Sequence, residues 1–152
     1  MIKQGWCWTA VLLVACGGAS APVQPSPSAA AAVQGFMQAV ADSNLAKMAS
    51  LWGTPNGPAS KTKQPPDYER RIAIMQVYLR NEGFRITSDV AEAENRRALA
   101  VEIRRQTCTW SVPFVSVKTG DGSWLVTSMD LTAAGNPARP CDESMKDSLP
   151  KR

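Results

Sequence analysis

Histidine does not occur in this chain of 152 residues. Its absence removes the usual base of a serine-type triad, the imidazole zinc sites and the commonest acid–base group near neutral pH. Cysteine is scarce, with four residues and no pair at CxxC spacing, so no thiolate framework for a structural metal is on offer. Phosphate-cradling loops are missing as well. Neither GxxxxGK[ST] nor GxGxxG occurs, and Gly120-Asp121-Gly122 reads as a turn. No block of five or six like charges exists. The 17 basic and 13 acidic residues alternate, as in Asp67-Tyr68-Glu69-Arg70-Arg71 and Glu92-Ala93-Glu94-Asn95-Arg96-Arg97. The formal charge of +4 therefore does not point to nucleic acid. No apolar run approaches the roughly 20 residues of a membrane-spanning helix. On these grounds no metal, cofactor or catalytic residue is assigned.

The N-terminal region carries the most specific pattern. Lys3 precedes an apolar run from Trp6 to Val14, and Leu13-Val14-Ala15-Cys16 closes it. This is the tripartite build of an export signal, and its last four residues resemble the lipobox of bacterial lipoproteins. The resemblance implies cleavage before Cys16 and lipidation of its sulfur. An ordinary signal peptidase acting at Ala19-Ser20-Ala21 is the alternative. Residues 1–15 are then a signal peptide, and residues 16–30 an Ala/Pro/Ser tether in which Pro22, Pro25 and Pro27 oppose helix and sheet. About twelve such residues would reach on the order of 35 Å at ~3.1 Å each. Gly17 rather than Asp after Cys16 resembles the outer-membrane sorting pattern, so the expected location is the periplasmic face of the outer membrane.

Under that reading Cys7 leaves with the signal and Cys16 carries lipid. Cys108 and Cys141 remain as an even pair in an oxidising compartment and are expected to form a disulfide. In the chain-entropy account the bridge is worth roughly 3–4 kcal/mol. Two free buried thiols are the alternative.

Residues 31–135 read as one folded domain, and residues 136–152 as a tail pinned by the disulfide. The first half is helical in pattern. Val33, Phe36, Met37 and Val40 recur at helical spacing, Asp42-Ser43-Asn44 breaks the pattern, and Leu45, Met48, Leu51 and Trp52 mark a second helix. Residues 53–66 read as a long polar loop. Asp67 is placed to cap a third helix bearing Tyr68, Ile72, Met75 and Leu79, with Gly83 as its terminator. The second half alternates like strands: Phe84 to Val90, Ala98 to Thr107, Cys108 to Lys118 and Ser123 to Leu131. Thr119-Gly120-Asp121-Gly122 joins the last two as a hairpin, and Pro113 calls for an edge or a bulge. The fold class is α+β, N-terminal helices packed on a curved antiparallel sheet.

The stretch Val33 to Leu45, with its helix-break-helix pattern, and Gly122 to Leu131, an aromatic after a Gly turn and then alternation, resemble the NTF2-like (cystatin-like) superfamily. The resemblance implies a cone-shaped roll with a pocket, and it is shared with small bacterial lipoproteins of unassigned activity. Fold alone does not choose a function. The expectation is a non-catalytic binding module, held to the membrane by its lipid anchor and meeting an envelope protein or a small apolar ligand. A homodimer is an alternative form, with Trp110 and Phe114 as anchors if it pairs through its sheets, and core packing as the other role of these two residues. A pocket enzyme of the ketosteroid-isomerase or polyketide-cyclase type is a second reading, with Tyr68, Tyr78, Trp110 and Asp130 as pocket candidates. A structural or assembly role is a third, acting through the Lys61–Lys63 loop or a basic face of Arg85, Arg96, Arg97, Arg104 and Arg105.

Overall fold

Ser28 starts the first helix. Its hydroxyl accepts a hydrogen bond from the Ala31 amide at 3.1 Å and satisfies one of the orphan donors of the opening turn. In the computed structural model, which describes residues 25–139 and Cys141, helix α1 runs over Ala29–Ala41. The expected signal segment, the expected lipidation site Cys16 and most of the expected tether lie outside the described residues, as does the tail beyond Cys141. The end of the tether region, however, belongs to the folded part. Ser26 is buried and its carbonyl accepts from the Trp124 amide at 3.0 Å. The folded part therefore includes residues that precede residue 31. Four successive alanines from Ala29 are good helix formers despite their low bulk.

The Asp42-Ser43-Asn44 break is a cap. Ser43 takes a left-handed conformation, and Asn44 accepts from the Lys47 amide to begin α2 (Leu45–Leu51). Gly35 lets α2 approach α1 closely, since a Cβ there would lie 3.3 Å from Leu51 Cδ1. The expected loop 53–66 is partly ordered into a two-residue hairpin, β1 (Gly53–Thr54) with β2 (Gly57–Pro58), and a short helix α3 (Ala59–Thr62). It holds because the Ala59 amide bonds back to the Trp52 carbonyl and because Gly53 has no side chain. A Cβ at Gly53 would collide with the Gly57 carbonyl.

Helix α4 (Tyr68–Leu79) buries the expected stripe of Tyr68, Ile72, Met75 and Leu79. Its two ends differ from expectation. Asp67 stands at the cap position but spends its carboxylate on Arg71 at 2.9 Å, with no bond to a backbone amide. At the far end Asn81 caps the Leu79 carbonyl with its side-chain amide, so Gly83 is released to open a strand.

Four strands follow as an antiparallel meander: β3 (Gly83–Ala93), β4 (Arg96–Arg105), β5 (Cys108–Lys118) and β6 (Trp124–Met129). Period-2 alternation sends Leu99, Val101 and Ile103 to one face, opposite Phe114, Val112 and Trp110 of β5. The helices cover that face, and Phe36 of α1 meets Phe114 edge to face with ring centroids 6.4 Å apart. Register shifts at Ile86/Ser88 and Val115/Ser116 are bulges, which bend the strands they interrupt. Pro113 lies on an inner strand, not an edge. Its carbonyl accepts from Asp130, so its missing donor faces the ladder just where β6 ends at Met129. The architecture is α+β, four helices with a four-stranded antiparallel sheet. No helix among the described residues is long and apolar enough to cross a membrane.

Candidate functional site

The alternation that buries Leu99, Val101 and Ile103 continues for one more step, to Arg105. This residue ends β4 on the covered face, beneath the C-terminal end of α4 and a 3-10 turn at Thr132–Ala134. It is only 7% exposed. Its Nη2 donates to the Tyr78 and Ala134 carbonyls, each at 2.6 Å. The guanidinium carbon sits 5.0 Å from the centroid of Trp110, within cation–π range. Nε and Nη1 are buried and have no hydrogen-bond partner. Burial pushes the guanidinium down from its ordinary pKa, because a low-dielectric surrounding disfavours the charged form. Four ion pairs occur among the described residues, Arg71–Asp67, Arg85–Glu102, Arg96–Glu92 and Arg97–Asp89. None reaches Arg105.

A depression of about 380 Å³ adjoins this cation. Arg80, Asn81 and Glu82 border it after α4, Arg105 and Gln106 at the β4–β5 turn, and Pro137 beyond the 3-10 turn. The Cys108–Cys141 disulfide closes the same end of the sheet, with a Cα–Cα separation of 5.6 Å. Cys141 Sγ lies 3.3 Å from the Arg105 carbonyl oxygen.

Of the four pocket candidates, Tyr78 and Trp110 meet at Arg105, while Tyr68 and Asp130 stand apart. Tyr68 borders a groove of about 380 Å³ with Leu45, Ala49 and Ile72. Its hydroxyl donates to Glu69 and accepts from Lys63 Nζ. Tyr78 gives its carbonyl to Arg105, and Trp110 supplies the ring beside that same guanidinium. Asp130 accepts from the hydroxyl and the amide of Thr132, which hold its carboxyl below the usual range. The structure thus unites Tyr78 and Trp110 around a residue that sequence reasoning counted as part of a basic surface.

That basic surface is divided. Arg96 and Arg104 point away from the helices with Arg85, which pairs with Glu102 at 3.0 Å, whereas Arg97 and Arg105 share the covered face. Phe114 is fully buried and Trp110 is turned inward, so neither is presented for pairing through the outer sheet face. A third depression of about 350 Å³ lies between α4 and β6, with Trp52, Arg71, Ile74, Met75, Met129 and Leu131 around it. Among the described residues no group of three or more His, Cys, Asp or Glu side chains could hold a metal ion. No protein-family model matches the chain, nor does any curated protein or solved structure.

Proposed function

We propose that the protein is an exported, lipid-anchored binding module of the bacterial envelope, with a domain of NTF2-like type and no chemistry of its own. The observation that carries this reading is the filled interior. Phe36, Met37, Met48, Val101, Val112 and Phe114 occupy the space between helices and sheet without solvent exposure. Contact with a partner then falls to the outer depressions, which suit recognition of an envelope protein or a small ligand. Two of the groups an isomerase-type reaction would recruit are engaged elsewhere, the Tyr68 hydroxyl with Glu69 and Lys63 and the Asp130 carboxyl with Thr132. A general base is most effective with a pKa near the working pH, and Asp130 is shifted the other way by Thr132. The disulfide supports an oxidising compartment, consistent with the lipobox-like Leu13–Cys16 and the tether behind it.

Fatty-acid labelling in a bacterial host tests the anchor. The full chain incorporates label and Cys16→Ser does not. Label retained in Cys16→Ser would remove the lipoprotein reading. Native mass spectrometry of the detergent-extracted protein tests the binding role. A co-purified small molecule or envelope protein supports it, and an invariably bare monomer counts against it.

A further inference from the structure

Arg105 presents an imbalance. A guanidinium carries five N–H donors, and only Nη2 finds acceptors, the Tyr78 and Ala134 carbonyls. Nε and Nη1 are shut away from water with no protein partner. Two carbonyls and the Trp110 ring do not neutralise the charge, and a buried ion is tolerated when a counter-charge with hydrogen bonds offsets its lost hydration. No carboxylate among the described residues supplies one. Arg105 nonetheless forms part of the wall of a 380 Å³ depression. A second cation, Arg80, and two amide side chains, Asn81 and Gln106, stand around it.

We infer that this depression is a carboxylate-binding site in which Arg105 supplies the charge-assisted donors and Asn81 and Gln106 the neutral ones. Carboxylate is favoured over a bulkier, doubly charged phosphate for two reasons. Glu82 stands on the same rim, adding a negative charge that opposes a dianion more than a monoanion. Val77 and Pro137 offer apolar wall for the body of an organic acid. The Arg105 donors are covered in this structure, so a carboxylate reaches them as the rim rearranges at the exposed β4–β5 turn. Charge-assisted bonds to a desolvated guanidinium are the strong ones, which makes the exchange favourable. The carboxylate can come from a free organic acid or from Asp142 and Glu143, which follow Cys141 in the sequence. The inference gives the proposed binding module its ligand class, and it stands or falls apart from the lipid anchor.

The test uses the full chain, isotopically labelled, with benzoate as probe and benzamide as its neutral control. The Arg105 Nε–Hε resonance is expected to shift with benzoate and not with benzamide, while that of exposed Arg104 stays in place. Arg105→Met, which keeps most of the packing volume, should abolish a benzoate-induced rise in Tm. Should that variant fail to fold, the resonance shift in the unaltered protein decides. Asp142→Asn/Glu143→Gln separates the sources. If the tail holds the site, this variant moves the Arg105 signal without ligand and tightens benzoate binding several-fold. If a free acid holds it, the variant leaves both unchanged. An Arg105 resonance indifferent to benzoate and to the tail substitutions overturns the site. The anchor and the co-purification result would be unaffected by that failure.

Discussion

The covered face of the sheet is closed in two different ways at its two ends. Toward α1 the contact is chiefly hydrocarbon: Leu99, Val112 and Phe114 against Phe36 and Val33. Toward the β4–β5 turn the same alternating positions deliver Arg105, roofed by Trp110, two backbone carbonyls and a disulfide. Both ends are covered, yet the first draws its stability from apolar area. The second carries a desolvated ion that packing alone does not repay. A protein can close a face cheaply with leucine, so an ion retained there points to a use beyond closure.

Substitutions that break one end should leave the other recognisable. Phe114→Ala removes the ring that meets Phe36 and should cost ~3–5 kcal/mol by urea denaturation, with the disulfide end still formed. Removing the bridge with Cys108→Ser/Cys141→Ser should cost ~2–4 kcal/mol in the same assay. Its structural effect should concentrate on Arg105 and the Thr132–Ala134 turn, seen as raised amide exchange there. Gly135→Ala probes the roof. A Cβ at Gly135 would come within 2.6 Å of Trp110 Nε1, and its φ of 72° is one that L side chains rarely adopt. The expected loss is ~1–3 kcal/mol, read as a lowered Tm, and an unchanged Tm would show that Trp110 moves freely. Ser116→Ala tests the apolar end for a polar flaw. The Ser116 hydroxyl is buried without a partner, so the variant should be neutral or gain up to ~1 kcal/mol.

The smallest effect lies in the β5–β6 turn. Thr119 and Ser123 donate to Asp121 and hold its carboxyl down to about 2. Its folded-state pKa is below the unfolded one, so its contribution is present above the ordinary carboxylate range and is lost as pH falls through about 2. Melting curves taken between pH ~4 and ~2 should flatten in Asp121→Asn relative to the unaltered chain.

The contrast between the ends also explains what the sequence disclosed. Period-2 and period-3.6 patterns located α1, α2, α4 and the strands, because burial of one face is written directly into residue spacing. The Cys108–Cys141 pairing was accessible from counting and an expected oxidising compartment. The segment after Trp52 was not, since its hairpin depends on a carbonyl from Trp52 and on a collision that only Gly53 avoids. Gly83 misled because Asn81 took over the capping role. Arg105 fell in phase with Leu99, Val101 and Ile103, so its face was readable. What covers it was not, because α4 and the 3-10 turn reach it from distant parts of the chain.

The bond from the Trp124 amide to the Ser26 carbonyl has a consequence for crowding. An edge strand with unpaired amides is a template on which another copy can grow. On β6 that edge is taken twice by the chain itself, by Ser26 at Trp124 and by Trp52 alongside Val126. On β3, the opposite edge, a bulge and the charged side chains of Arg85, Asp89 and Glu92 discourage pairing. Copies held side by side at a surface would meet at high local density, and neither border of the sheet invites them to polymerise.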